Sequence, residues 1–153
     1  MKIRKMIVGS LVLSVLIVGV SALAQVVKRP YHNGSAWNIA FIRMKPGMET
    51  AYLNYLAGSW KANQEALKKE GVIISYKVLT VEGHTPGEWN VMLMTEYKNL
   101  ATMEASEDKA DDIAQKVVGD DEKQRQGYRE RLEIREVMGD RLAREIVLAP
   151  KTP

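Results

Sequence analysis

Residues Trp37 to Met44, W-N-I-A-F-I-R-M, constrain the fold more than any other stretch of the chain. The run is short and rich in aromatic and β-branched residues, so it reads as a strand. Alternate residues of a strand point to opposite faces. Here Trp37, Ile39 and Phe41 fall on one face, and Ala40, Ile42 and Met44 on the other. A strand apolar on both faces must be covered on both faces. The runs Val72–Val81 and Trp89–Tyr97 are of the same kind, so the whole sheet carries this demand.

The rest of the chain punctuates these strands. Lys45-Pro46-Gly47 ends the first. Met48, Tyr52, Tyr55, Leu56, Trp60, Ala66 and Leu67 then recur at helical spacing, which predicts a long helix to about Glu70. Lys68, Lys69 and Gly71 suit its C-terminus. The second strand is followed by a turn-rich loop, Glu82 to Gly87, and by a third strand antiparallel to it. Residues 99–118 have helical composition and stop at Gly119. The acidic run Asp120-Asp121-Glu122 opens another helix, expected to reach Met138 and end at Gly139. Leu142 to Leu148 reads as a last strand closed by Pro150. The order β-α-β-β-α(α)-β is the split βαβ, ferredoxin-like α+β arrangement: a four-stranded antiparallel sheet with helices on one face. The other face would leave Ile, Val, Met and Leu in water, a large patch for a monomer. A second identical chain packed against it is the simple remedy, so a homodimer is expected.

The N-terminus reads as an export signal. Lys2, Arg4 and Lys5 precede an apolar run from Met6 to about Val20, and Ala22-Leu23-Ala24 places cleavage before Gln25. The resulting division is signal peptide 1–24, flexible leader 25–35, domain 36–149 and tail 150–153. The alternative is an uncleaved anchor in the inner membrane, since the apolar run is just long enough to span a bilayer. Removing 24 of the 153 residues leaves 129, enough for one domain. It also removes three basic groups, so the 22 basic residues fall to 19 and match the 19 acidic ones. A neutral chain lacks the basic surplus that nucleic-acid binding requires. With no cysteine, disulfides, thiolate chemistry and cysteine metal sites are excluded, and an exported protein resting on packing alone suits a bacterial periplasm.

Several segments together resemble the dimeric α/β-barrel superfamily, which includes monooxygenase-like, EthD-like and NIPSNAP-like domains. They are Trp37-Asn38, Lys45-Pro46-Gly47-Met48, Trp60-Lys61, Ser75-Tyr76-Lys77-Val78, Glu88 to Met94, and Arg144-Glu145-Ile146. More narrowly the chain is similar to an uncharacterised group of exported bacterial proteins. The resemblance covers nearly all of residues 35–149 and implies the fold and the dimer. It leaves activity open, because the superfamily mixes monooxygenases, haem-degrading enzymes, isomerases, dehalogenating enzymes and proteins without known activity. Haem-degrading members use a helical histidine as iron ligand, whereas His32 and His84 both fall in expected loops.

Candidate site residues follow from chemistry. His84, in a Gly/Pro loop between strands, is a candidate acid or base, set against a solvated loop histidine. Glu96 and Arg144 lie within strands, where a buried pair could supply a base and a carboxylate clamp. Trp37, Tyr76 and Trp89 are candidate walls for a flat apolar ligand, set against plain core roles; Tyr52, Tyr55, Tyr128 and the strand methionines belong to the same class. The charges of residues 119–145 read as a solvated helix with pairs such as Arg129 and Glu133, and with Arg131 and Arg135 near Glu136. No His-x-x-x-His or Glu-x-x-His pair occurs, and no phosphate loop or nucleophile elbow, so no metal and no cofactor is expected. Three functions remain: binding of a small apolar molecule in a barrel or sheet–helix cleft, cofactor-independent monooxygenase-like or isomerase-like catalysis at Glu96 or His84, or a structural dimer with no ligand.

Overall fold

A computed structural model describes residues 29–82, 85 and 87–149. The export signal, His84 and the residues after 149 lie outside the described residues. Strand β1 (Tyr31–Met44) is followed by α1 (Glu49–Tyr55), a π-helical turn (Leu56–Trp60) and α2 (Lys61–Lys69). Then come β2 (Ser75–Thr80), β3 (Val91–Tyr97), α3 (Leu100–Ala105), α4 (Glu107–Val117), α5 (Asp121–Leu132) and β4 (Arg135–Leu148). The strands form one sheet in the order β2-β3-β1-β4, antiparallel at every junction. This is the ferredoxin-like arrangement read from the sequence. No helix among the described residues is long and apolar enough to cross a membrane.

Local chemistry accounts for the boundaries. Pro46 and Gly47 occupy the centre of a turn closed by the Met48 amide on the Lys45 carbonyl. Gly47 has φ 79°, a conformation that a side chain would penalise. At the end of α2 the Gly71 and Val72 amides return to the Lys68 and Leu67 carbonyls, the Schellman pattern. Asn99 caps α3 by accepting from the Thr102 amide at 2.8 Å, and Asp120 caps α5 by accepting from Lys123 at 2.9 Å.

Four expectations shift. Residues 31–35, read as flexible leader, belong to β1, because Tyr31, His32 and Asn33 pair with Leu148, Val147 and Ile146. The turn-like Gly34 and Ser35 sit in a bulge there, where Glu145 accepts from the Ser35 amide and hydroxyl. The second strand starts at Ser75 instead of Val72, and Val72 and Ile73 are buried ahead of it. Residues 99–118 form two helices that meet at Ser106. The last helix stops at Leu132, and residues 135–141 extend β4, because a 14-residue β1 offers a ladder along its whole length. Gly139 is therefore no helix stop. It lies at a second bulge with φ 146°, where Phe41 faces Gly139, Ile42 faces Val137 and Met138 is the extra residue.

The helices cover one face of the sheet. Ile42, Met44, Tyr52, Leu56 and Val91 form one buried cluster. Leu67, Val72, Ile73 and Ile113 form another, where α2 meets α4. The alternate residues of β1 and β3, Trp37, Ile39, Phe41, Met92 and Met94, lie half-buried on the opposite face, which no helix covers.

Candidate functional site

The parity of the strand register decides which side each expected residue faces. Trp37 pairs with Glu96, while Ala36 pairs with Arg144. Neighbours along a strand point opposite ways, so the sheet lies between Glu96 and Arg144 and the expected pair does not form. Glu96 instead accepts a hydrogen bond from Ser75 Oγ on the open face. Trp37 is on that face too, with Lys77 Nζ 5.3 Å from its ring centre. Trp89 packs edge-on against Phe41 at 4.8 Å. Tyr76 points the other way: its ring meets Trp60 at 5.3 Å and its hydroxyl donates to Glu65. Arg144 is exposed beside Lys98 and Asn99. The three aromatic walls are thus divided between two faces and enclose no common chamber.

The structure gathers a different set of residues on the helix side. Between the π turn and α5 runs a cleft made of two adjoining hollows of ≈ 370 Å³ and ≈ 540 Å³, which share Tyr55, Ser59, Val118 and Arg131. Trp60, Asn63 and Tyr128 extend the first hollow, and Ile134 and Glu130 the second. Volumes of this order suit small-molecule sites. The cleft depends on the π turn, where Gly58 (φ −95°, ψ −105°) leaves helical geometry between two regular helices. Such one-turn insertions recur at functional sites.

Two arginines and three tyrosines interleave at this cleft. The Arg131 guanidinium lies 4.7 Å from the Tyr55 ring centre and 6.0 Å from that of Tyr128. Arg135 lies 5.9 Å from Tyr128 and 5.7 Å from Tyr52, so the Tyr128 ring is shared by both. Tyr52 is fully buried and stacks with Tyr55 at 5.9 Å. Burial pushes the Tyr52 hydroxyl up to about 12, against the opposing pull of Arg135 and Arg131.

Among the described residues, the buried side-chain polar atoms without a partner are Tyr52 Oη, Asn63 Oδ1, Arg131 Nε and Arg135 Nε. All belong to this cleft or to the layer directly behind it. Each such atom costs about 1–3 kcal/mol unless satisfied, and a charged group more. Arg135 is only 8% exposed. A cation over an aromatic ring gains about 0.5–2 kcal/mol, less than the several kcal/mol needed to bury a guanidinium.

Arg131 lies on the helix expected for it, α5, but half-buried, and Arg135 does not. Arg135 instead opens β4 and points into the core side, opposite Met44. Arg129 bonds Glu122 at 3.1 Å, not Glu133. One signal in the sequence could have located the cleft: Gly58-Ser59, a weak helix pair inside a strong helical pattern. No comparable signal marks Arg135, whose flanking charges look like those of Arg129.

A crystal structure of a dimeric ferredoxin-like protein from an uncultured marine organism is similar in fold, with 12% identity and a TM-score of 0.50, covering 78% of this chain and 93% of that one. HapK from Hahella chejuensis is also similar (11% identity, TM-score 0.47, covering 72% and 91%). So is a dimeric protein of unknown function and ferredoxin-like fold from Bacteroides fragilis (19%, 0.40, covering 73% and 95%). No family model matches the sequence, and no curated protein matches it.

Proposed function

We propose that this chain is an exported, dimeric ferredoxin-like domain that binds a small, largely apolar molecule in the cleft between the π turn and α5. One observation carries the reading. An aromatic-lined cleft of ligand size coincides with the helix irregularity and with the unpartnered buried polar atoms of Asn63 and Arg131, those of Tyr52 and Arg135 lying in the layer behind it. Export is supported by the N-terminal sequence pattern, and Gln25 is the expected first residue of the protein in cells.

The dimer is supported by the uncovered apolar face of the sheet, Trp37, Ile39, Phe41, Met92 and Met94, and by the description of a protein of similar fold as dimeric. The binding site lies on the opposite side of the sheet, so ligand and partner do not compete for one surface.

Native mass spectrometry of the protein purified from its own cells tests the binding function. The wild type is expected to retain a small molecule. Ser59→Trp, which projects an indole from an exposed helical position into the boundary shared by both hollows, is expected to be free of it. A wild type that carries nothing, even when isolated from the periplasm, would falsify the binding reading.

A further inference from the structure

Arg131 lines both hollows of the cleft with no carboxylate against its guanidinium, and Arg135 lies in the layer behind, across the Tyr128 ring; the other lining guanidinium, Arg125, holds Glu122. Among the described residues, the side chains of Arg43, Arg125 and Arg129 each hold a glutamate, whereas the guanidinium groups of Arg131 and Arg135 hold none and their buried Nε atoms have no partner. Glu130, the acidic residue that lines the outer hollow, is engaged by Gln126 Nε2 at 2.9 Å. Arg135 is more than nine-tenths buried, at a strand position opposite Met44. An apolar side chain there would avoid the burial of an uncompensated charge, so this arginine costs the fold stability. Groups kept on those terms are typical of sites that meet an opposite charge in the working protein.

The surroundings narrow the chemistry. The unpartnered Nε atoms of Arg131 and Arg135 are donors, and the buried, protonated Tyr52 hydroxyl is a further donor without an acceptor. Guanidinium forks match planar two-oxygen anions. The ring faces of Tyr55, Trp60 and Tyr128 form an aromatic lining beside those donors. We infer that the cleft recognises the carboxylate of a flat, aromatic or conjugated acid, with its oxygens on Arg131, the Arg135 charge in the layer behind, and its ring system against Tyr55, Trp60 and Tyr128. This rests on the cleft being the ligand site, as proposed above, and adds the charge of the ligand.

The test uses 2-naphthoate and its uncharged isostere 2-naphthamide, titrated calorimetrically into the full protein as purified from cells and cleared of bound material. The wild type is expected to prefer the acid by at least about tenfold, the loss expected when a charged hydrogen-bonded contact is removed. Arg131→Gln, which removes the guanidinium that lines both hollows, is expected to reduce that preference to within about twofold. Arg135→Met, which removes a charge in the layer behind the cleft, is expected to reduce it less with the thermal midpoint unchanged or raised, and so serves if Arg131→Gln does not fold. Equal affinity of the wild type for acid and amide overturns the inferred charge and leaves the cleft as an apolar site. A preference that survives in Arg131→Gln and Arg135→Met also overturns it. Failure of the wild type to bind either probe sinks both the charge and the site.

Discussion

On the open face of the sheet the charged groups are engaged and the apolar groups are uncovered. Arg43 holds Glu136, Ser75 Oγ donates to Glu96, and Lys77 lies over Trp37. Around them, Ile39, Phe41, Met92 and Met94 have no helix above them. The helix-covered face is the reverse. Its apolar residues are closely buried around Tyr52, Ile42 and Val91, while its polar atoms at Tyr52, Asn63, Arg131 and Arg135 lack partners. Unburied apolar area is relieved by another apolar surface. Unpaired donors are relieved by an acceptor. The two faces therefore make different demands: one for apolar cover, the other for hydrogen-bond acceptors.

The largest effect that can break this contrast is truncation where the two structural roles meet. Tyr52→Ala is expected to lower unfolding free energy in urea by about 3–5 kcal/mol, the cost of emptying a fully buried aromatic site. Tyr52→Phe removes only the unpartnered hydroxyl and is expected to be neutral or stabilising by up to about 1 kcal/mol. If Tyr52→Phe were instead strongly destabilising, the hydroxyl would have a partner in the folded protein, and the contrast between the faces would weaken.

A smaller change in fold stability but a clear change in assembly is expected on the open face. Phe41→Lys places a charge in the middle of the apolar area and should weaken association by about 2 kcal/mol, roughly thirtyfold, read by light scattering across a dilution series. Binding of a ligand in the cleft should be unaffected, since Phe41 and the cleft lie on opposite sides of the sheet. A mass that is monomeric in the wild type, and unaltered by the substitution, removes the assigned role of the open face.

The tyrosine also gives the helix side a pH signature. Its folded value of about 12 lies above the ordinary 10.0, so the folded state holds the proton more tightly than the unfolded chain. The contribution is whole below pH 10 and is lost as pH rises through about 12, by about 2–3 kcal/mol. Tyr97 is raised by burial in the same direction, so the quantity to measure is the difference between wild type and Tyr52→Phe over that range. The smallest effect belongs to Ser75→Ala on the open face. It removes one hydrogen bond to a half-exposed carboxylate and should change stability by less than about 1 kcal/mol.

Much of the fold was legible in the residues. The alternating apolar runs gave three strands and their order, Pro46-Gly47 and Gly71 gave the ends of the first strand and helix, and Asp120 gave the start of the last helix. These signals are local and act within one turn or one strand. The misread stretch, residues 133–138, has a charge pattern compatible with helix, and only the long partner strand draws it into the sheet. The site was less legible for the same reason. Whether Glu96 meets Arg144 depends on a register set across three strands, and a single-residue offset puts the sheet between them.

What the sequence determined by itself was the class of the domain, because apolarity on both sides of the first three strands leaves few ways to exclude water. Which arginine is buried and which side of the sheet holds a cleft were decided only when β4 paired with β1 and Gly58 broke the helix. Burial of a charge is a property of its surroundings in space. Arg129 and Arg135, six residues apart in similar company, reach opposite fates because one rides an exposed helix and the other opens a strand beneath Tyr52.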